Sequence, residues 1–340
     1  MRVAMYYNNH DVRVEEMPKP QIAPGELLVK MKASGICGSD VMEWYRIKKA
    51  PLVLGHEATG EIVEAGSAVQ GYNIGNRVFV SHHVPCNKCY YCLSGNHTAC
   101  QTLHTTNYYP GGFSEYIRVP EINVGCGVFL LPQEVSYEDG TFIEPLACVE
   151  RAQESAGLKA GMSVLILGSG ISGLLHLLLA RANSAGRVFS TDMNQYRLRR
   201  AKEFGADMAI RADADLPEVL RKANQGRLAD LVIVATSAHS AFSQSLQAVE
   251  RGGVILFFAP PDPVWNIPVP VNDFWRQGIK IIHSYGASPV NLSLALELIR
   301  AKKVAVSKMI THRFKLSEAG FGFKTMVDSK ESIKVIIEPD

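Results

Sequence analysis

Apolar and polar positions alternate in a regular order between about residues 151 and 285, where short apolar runs are separated by longer amphipathic segments. The runs predicted as strands are VLIL (164–167), RVFSTD (187–192), DMAI (207–210), ADLVIVATS (229–237), VILFFAP (254–260) and IKIIHSYG (279–286). The segments between them, such as NQYRLRRAKEFGA (194–206), have the period of helices. Strands that alternate with helices are typical of a doubly wound parallel sheet, so we predict an α/β domain over 151–285.

The rest of the chain has a different pattern. Residues 1–150 are rich in short alternating runs, glycine and turn residues, which predicts a compact β-rich domain. After the α/β region, LSLALELIRAKKV (292–304) predicts a helix and SIKVIIEP (332–339) predicts a strand. We expect residues 286–340 to return to the first domain and complete it.

Composition excludes several classes of function. Of the 340 residues 47% are apolar and 20% are charged, as in a globular protein with an ample core. The 35 basic and 33 acidic residues give a net charge of +2 and form no block of one sign, so we predict no nucleic-acid or membrane partner. The N-terminal residues show no secretory signal, and we expect a cytoplasmic protein that acts on small molecules.

Four of the seven cysteines lie in CNKCYYCLSGNHTAC (86–100), which we call the cysteine lobe. Four thiolates suit a closed tetrahedral zinc site that shapes a loop and leaves no position for a substrate. An iron–sulfur cluster is the alternative, but its fourth cysteine follows after three residues and precedes a proline, whereas the gap here is seven residues. The predicted structural zinc ligands are Cys86, Cys89, Cys92 and Cys100.

A second set of metal-ligand types is dispersed along the chain. GICGSD supplies Cys37, LGHEATGE supplies His56 and Glu57, and FIEPLAC supplies Glu144. Taken singly, each has a structural explanation, as a buried thiol, a hydrogen-bonded core histidine, a surface carboxylate or an acid at a helix start. Only together with a cofactor motif do they predict a reactive site.

That motif is GSGISG (168–173), which follows the strand VLIL and opens an apolar helix. Glycines at such a turn let the backbone approach a pyrophosphate at the helix N-terminus. Asp192 ends the next strand, about twenty residues on, where a carboxylate binds ribose hydroxyls and repels a 2′-phosphate, so NAD is predicted over NADP. Arg197 is either a solvated helix residue or a phosphate contact. The predicted coenzyme-binding residues are Gly168, Gly170, Ile171, Gly173, Asp192 and Arg197.

In combination these motifs resemble the zinc-containing medium-chain dehydrogenases, the family of alcohol, sorbitol and threonine dehydrogenases. GHEATGEIVEAGSAV, the cysteine lobe, PGGFSEYIRVP, IEPLAC and LGSGISG occur in the family's order over essentially the whole chain. The resemblance implies a GroES-like catalytic domain (1–150, completed by 286–340), a Rossmann domain (151–285) and an active-site cleft between them. The Glu-Pro-Leu sequence is most similar to the sorbitol and threonine dehydrogenase branch.

The resemblance also implies roles for individual residues at a catalytic zinc. Cys37 and His56 match its ligands, and Glu57 matches the companion carboxylate that binds the metal or exchanges with water. Glu144 matches the acid that replaces a third thiolate. Three protein ligands with an exchangeable position are what a catalytic zinc requires.

Two further matches concern proton transfer. Asp40 matches the acid that orients the histidine ligand, and Ser39 matches the hydroxyl that takes the alcohol proton. Many relatives carry a histidine three residues after this serine, but this chain has Met42. The outer part of the relay therefore stays open between water, Glu43 and a histidine of SHH (81–83).

The predicted function is oxidation of a secondary alcohol, such as a polyol or sugar alcohol, by an NAD-dependent enzyme with two zinc ions per chain. A homotetramer is implied by resemblance alone. The resemblance does not single out sorbitol as the substrate, since Ser284 precedes Tyr285 where the sorbitol enzymes have an arginine. The alternatives are a threonine-type amino-alcohol dehydrogenase and a non-catalytic nucleotide-binding protein. A zinc-ribbon nucleic-acid binder is disfavoured, because Lys88 is the single lysine of the cysteine lobe and the lobe has no arginine.

Overall fold

The computed structural model describes all 340 residues, and their contacts divide the chain into two compact units. The first unit comprises Met1–Ala147 and Ala287–Asp340, and the second comprises Cys148–Gly286. None of the helices has both the length and the apolar character needed to span a bilayer. A β-rich first unit and a parallel α/β second unit confirm the predicted fold class.

The strands are β1 (Arg2–Asn8), β2 (Asp11–Glu16), β3 (Leu27–Gly35), β4 (Leu52–Val53), β5 (Glu57–Ala65), β6 (Arg77–Ser81), β7 (Tyr116–Val119), β8 (Val128–Leu130), β9 (Ser163–Leu167), β10 (Arg187–Asp192), β11 (Met208–Arg211), β12 (Ala229–Val234), β13 (Val249–Phe257), β14 (Lys280–His283), β15 (Ile310–Lys315) and β16 (Lys334–Glu338). The helices are α1 (Glu43–Arg46), α2 (Tyr90–Leu93), α3 (Gln101–Thr105), α4 (Glu121–Cys126), α5 (Tyr137–Gly140), α6 (Ile143–Ser155), α7 (Ile171–Ala182), α8 (Gln195–Glu203), α9 (Leu216–Ala223), α10 (His239–Ala248), α11 (Val271–Gln277), α12 (Pro289–Arg300) and α13 (Ala319–Asp328).

The first unit is built on a sheet of seven strands. Its order is β15-β16-β3-β5-β6-β8, with β7 also paired to β3, and a smaller sheet has the order β2-β1-β4. Strand β3 is buried at most positions because it lies inside this sheet, and apolar residues such as Val29 and Met31 fill the core beneath it. Strand β16 pairs antiparallel with β3, so the end of the chain completes a sheet that residues 27–35 begin.

The second unit contains a six-stranded sheet in the order β11-β10-β9-β12-β13-β14, in which every described pair is parallel. All five residues of β9, SVLIL, are buried, which explains their apolar character. Strand order reverses at β9, where β10 follows on one side and β12 on the other. In open α/β sheets, ligands bind at the carboxyl end of the strands at such a point, and here it carries Gly168.

Candidate metal and coenzyme sites

Three predicted zinc ligands come together at one end of β3 and β5. These strands are antiparallel, and Gly35 at the end of β3 pairs with Glu57 at the start of β5. Cys37 follows Gly35 by two residues and His56 precedes Glu57, so the register alone brings the three side chains to one place. The Sγ atom of Cys37, a ring nitrogen of His56 and a carboxylate oxygen of Glu57 all lie within 4.8 Å of one another. One thiol, one imidazole and one carboxylate form a donor set that fits a catalytic zinc.

Asp40 lies beside the histidine of this group. Its Oδ1 lies 3.3 Å from Nδ1 of His56, and its Oδ2 accepts the backbone N–H of Cys37 at 3.0 Å. Nε2 of His56 is thereby left to face the ligand group. Burial opposes ionisation of Asp40, but His56 and Arg46 together hold its pKa below the usual range. Burial likewise opposes charge on His56, but Asp40 and Cys37 keep its pKa well above the usual value.

Ser39 lies beside the ligand group and is held by an arginine. Its Oγ is 3.5 Å from Nε2 of His56 and 3.5 Å from Sγ of Cys37. Arg46, the last residue of α1, donates from Nη2 to Ser39 Oγ at 3.1 Å and from Nε to the Ser39 carbonyl oxygen at 2.8 Å. The sequence pattern does not single out Arg46, although a cation seven residues after the serine is visible in it.

The two other candidates for the outer relay have their own surroundings. Glu43 accepts the backbone N–H of Asn9 at 3.2 Å. The His82 ring lies 4.9 Å from the His56 ring and 3.8 Å from the His83 ring. Burial, with the nearby cations, lowers the pKa of His82 well below its usual value and that of His83 to about 4, so both rings are neutral at physiological pH.

A buried ion pair holds Glu57 from the other side. Nζ of Lys334 on β16 contacts Oε2 of Glu57, and the two side chains are 0% and 1% exposed. The pair reaches across β3 over Gly35, where a Cβ atom would overlap both the ammonium and the carboxylate. The ammonium also lies 5.2 Å from the centre of the Phe142 ring. No local pattern predicts this contact, because the two partners are 277 residues apart in the chain.

Glu144, the remaining predicted ligand, lies outside the group of three. It is half-buried in the first turn of α6. Burial, followed by the charges of Asp40, Glu144 and Glu57, raises the pKa of Tyr108 well above its usual value. The hydroxyl of Tyr108 donates to the Gly55 carbonyl oxygen at 3.2 Å.

The cysteine lobe folds its four thiols around one point. Their sulfur atoms lie within 4.8 Å of one another, with Cys89 and Cys92 3.5 Å apart and Cys86 and Cys100 3.6 Å apart. A tetrahedron with zinc–sulfur bonds of about 2.3 Å has edges of about 3.8 Å, so the arrangement fits zinc, while a disulfide requires about 2.05 Å. Burial opposes ionisation, but backbone N–H groups, including that of Cys86, lower the pKa of Cys100 to about 5.

The glycine turn has the geometry that a pyrophosphate requires. Gly168 has φ 100°, a conformation that favours glycine, and a Cβ at Gly173 would overlap the Gly168 carbonyl oxygen. At Gly170, the N-cap of α7, a Cβ would meet nothing closer than Nη1 of Arg197, at 4.0 Å. The helix that begins at Ile171 therefore has its N-terminal N–H groups next to an open position, which fits a phosphate.

Asp192 and Arg197 lie beside this turn. Oδ2 of Asp192 accepts the backbone N–H of Ser169 at 2.9 Å, and Oδ1 accepts that of Asn194 at 2.8 Å. Arg197 is half-buried, and its Nε is fully buried with no hydrogen-bond partner.

Comparison with known proteins gives matches to both units. The Alcohol dehydrogenase GroES-like domain matches residues 23–127, and the Zinc-binding dehydrogenase family matches residues 172–301. Sorbitol dehydrogenase from Ovis aries is 32% identical, over 97% of this chain and 94% of the relative. A protein assigned as a zinc-binding dehydrogenase from Sinorhizobium meliloti 1021, solved with NADP, is 27% identical with a TM-score of 0.89 over 99% of both chains. A short chain alcohol dehydrogenase from Escherichia coli CFT073, complexed with NADH, is 26% identical with a TM-score of 0.88 over 99% of both chains.

The matches agree with the geometry of the two metal-ligand sets and of the glycine turn. Each of the two family matches falls mainly in one of the units, and a relative above 30% identity spans nearly the full length. The resemblance inferred from the motifs is thereby confirmed, and the chain belongs to the zinc-containing medium-chain dehydrogenases, in their sorbitol dehydrogenase branch.

Proposed function

We propose that this protein oxidises a secondary hydroxyl group of a polyol or sugar alcohol to a ketone, with zinc and NAD as cofactors. One observation carries the proposal: Cys37, His56 and Glu57 converge within 4.8 Å, with the Ser39 hydroxyl 3.5 Å from His56. This ligand group occurs in a chain 32% identical to a sorbitol dehydrogenase, whose substrate is a polyol.

In this proposal the cofactors supply two things when bound: zinc provides Lewis acidity at the substrate oxygen, and the nicotinamide provides the hydride acceptor. Cys37, His56 and Glu57 hold the metal, and Glu144 remains a predicted further ligand. Asp40 fixes the orientation of the His56 ring through Nδ1.

Ser39 moves the proton. As the alcohol is oxidised, its hydroxyl proton passes to Oγ of Ser39, and the hydride leaves the carbinol carbon with the electron pair of the C–H bond. Oγ of Ser39 accepts this proton as its own hydroxyl proton leaves, so Ser39 stays neutral. The products are a ketone, one proton released to solvent and the reduced coenzyme that would carry the hydride. The buried position of Asp40 and the low exposure of His56, whose side chain is 12% exposed, limit competing water at this end of the sheet.

NAD is the proposed coenzyme. Asp192 stands at the end of β10, where Oδ2 accepts the Ser169 N–H of the glycine turn and Oδ1 accepts the N–H of Asn194. A negative charge at this place favours ribose hydroxyls over a 2′-phosphate. Because solved relatives bind NADP in one case and NADH in another, the discriminating measurement is the ratio of Kd values for NADH and NADPH. We expect NADH to bind more tightly, so the Kd for NADH divided by the Kd for NADPH is below one, and we expect Asp192→Ala to raise this ratio towards one.

The cysteine lobe is proposed to hold the second zinc, for two per chain, through the four sulfur atoms described above. A homotetramer located in the cytoplasm completes the proposal. Family resemblance supports the tetramer, and the clustering of four of the seven cysteines as metal ligands suits a reducing compartment. Metal analysis and light scattering of the purified protein test the zinc count and the subunit count.

The decisive experiment follows NADH formation at 340 nm against a panel of sorbitol, xylitol, simple secondary alcohols and threonine, with and without a chelator. We expect turnover of polyols that the chelator abolishes and that Cys37→Ser lacks, while NADH still binds to the variant. Turnover of threonine alone would favour the amino-alcohol alternative. Tight NADH binding without turnover of any alcohol would favour a non-catalytic nucleotide-binding protein.

A further inference from the structure

The Ser39 hydroxyl has an unexpected neighbour. Met42 occupies the position at which many relatives carry a relay histidine. The group that contacts Ser39 in the structure is the guanidinium of Arg46. We propose that Arg46 is the positioning residue of this site: it fixes the Ser39 hydroxyl so that its oxygen accepts from the guanidinium and its remaining bond directions face the substrate oxygen. This inference rests on the proposed function and deepens it.

The chemistry of the two groups sets the direction of the hydrogen bond. A guanidinium is always protonated in proteins and has only N–H donors, so it cannot accept a proton from Ser39. In the 3.1 Å contact, Oγ of Ser39 is therefore the acceptor and Nη2 of Arg46 the donor. The hydroxyl proton must point elsewhere, and the other atoms near Oγ are Nε2 of His56 and Sγ of Cys37, both at 3.5 Å. These are proposed metal ligands, so the hydroxyl faces the side on which the reacting oxygen is expected.

Arg46 is itself held firmly. Its Nε donates to the Ser39 carbonyl oxygen at 2.8 Å, so two nitrogens of the guanidinium donate hydrogen bonds to the same residue. Nη2 also lies 3.6 Å from Oδ1 of the fully buried Asp40, and the side chain is only 15% exposed. The guanidinium carbon lies 4.8 Å from the centre of the Tyr45 ring. Arg46 is thus held by Asp40, by the Tyr45 ring and by the Ser39 carbonyl oxygen. A side chain fixed in this way can hold the Ser39 hydroxyl in one rotamer.

Two roles for Arg46 make different predictions. If Arg46 acts through Ser39, its loss lowers the rate of the chemical step and leaves substrate binding and the metal in place. If it serves only to balance the charge of Asp40, its loss disturbs His56 and the metal. The contact with Ser39 is the shorter of the two, 3.1 Å against 3.6 Å, and it is the one with hydrogen-bond geometry.

Because an arginine cannot relay a proton, Arg46 takes no part in the exchange of that proton. Its contribution is confined to orientation, and misplacement of a reacting group costs on the order of 100-fold in rate. We therefore expect Arg46→Met to lower kcat by about 10- to 100-fold with KM changed by less than about threefold. Arg46→Lys keeps a cationic donor but lacks the planar guanidinium with its several N–H groups, so its kcat should lie between those of Arg46→Met and wild type.

A double-mutant cycle with Ser39→Ala tests this directly in the zinc-loaded protein. If Arg46 acts through Ser39, adding Arg46→Met to Ser39→Ala lowers kcat by less than about threefold. The matched control is Lys48→Met, which removes a positive charge from the exposed turn that follows α1 and should leave kcat unchanged. Zinc per chain, measured by metal analysis, should be the same in wild type and Arg46→Met.

Three results would overturn the proposal. They are an additive effect in the cycle, an equal loss in Lys48→Met, and loss of zinc from Arg46→Met. A crystal structure of zinc-loaded Arg46→Met gives a readout that needs no turnover: we expect the Ser39 hydroxyl to leave its rotamer, and an unchanged rotamer refutes the inference. If wild type oxidises no alcohol, the proposed function fails. If wild type is active and the cycle is additive, only the role of Arg46 fails.

Discussion

Lys334 and Glu57 form an ion pair with almost no access to water, so removing one charge should have a large effect. In Lys334→Met an apolar chain of similar length replaces the lysine, and the Glu57 carboxylate is left buried opposite Gly35 without its cation. Breaking a buried pair in this way costs about 3–5 kcal/mol, because the remaining charge is uncompensated. For a denaturant slope of roughly 3 kcal/mol per molar urea, the midpoint of unfolding falls by about 1 M or more.

The metal should change this cost. A carboxylate oxygen of Glu57 lies within 4.8 Å of the Cys37 and His56 ligand atoms, so zinc offers the orphaned carboxylate a second cation. We therefore expect Lys334→Met to be destabilised most in chelator-treated protein and less in zinc-loaded protein. The double variant Lys334→Met/Glu57→Gln, which removes both charges, should recover much of the loss.

The assay is urea unfolding followed by far-ultraviolet circular dichroism, with and without zinc. A matched control is Lys315→Met, because Lys315 lies on the adjacent strand β15 and pairs with Glu338 at 3.2 Å, but its side chain is 51% exposed. An exposed pair of this kind contributes at most about 1 kcal/mol. The reasoning is refuted if Lys334→Met and Lys315→Met shift the midpoint equally in zinc-free protein, or if the double variant is as unstable as Lys334→Met.

Three other predictions follow from the site geometry. Cys100→Ser should lower the zinc content from about two to about one per chain and reduce the thermal midpoint, since four thiolates define the lobe; unchanged zinc would contradict the second site. Gly173→Ala places a methyl group against the Gly168 carbonyl, and such overpacking costs about 1–3 kcal/mol. If this cost falls on the turn that binds the coenzyme, the Kd for NADH rises by about 5- to 150-fold in a fluorescence titration, with zinc content as the control. Burial lowers the pKa of His176 to about 3, below its value in the unfolded chain. As pH falls from 6.5 towards 3 the unfolded state therefore takes up the proton first, and the free energy of unfolding decreases by up to about 5 kcal/mol. His176→Gln should flatten this pH dependence of the urea midpoint. An unaltered pH dependence would show that His176 is not the group responsible.

Local pattern predicted the second unit well, for a physical reason. Its parallel strands are buried on both faces, so apolar runs such as VILFFAP (254–260) predict them. The first four residues of this run form the end of β13. The turn at Gly168 was also predictable, because a strand, spaced glycines and a helix are adjacent in the chain. The C-terminal strand prediction matches β16 (Lys334–Glu338).

Contacts between distant residues were not predictable in the same way. In sequence, Lys334 reads as a polar residue at a strand start, yet it is fully buried because its partner Glu57 approaches across β3. Arg46 is one of several cations in RIKK, and only its position at the end of the short helix α1 directs it to Ser39. Both cases depend on register between strands or on a turn, which residue types alone do not specify.

Strand β16 has a consequence for how the protein assembles on the ribosome. The second unit is one uninterrupted stretch, Cys148–Gly286, whereas the first unit must wait for residues beyond 287 before its sheet is whole. A nascent chain can therefore finish the nucleotide-binding half while Cys37, His56 and Glu57 still lack the lysine that neutralises their carboxylate. During synthesis, the part of the molecule that begins first is the part that is completed last.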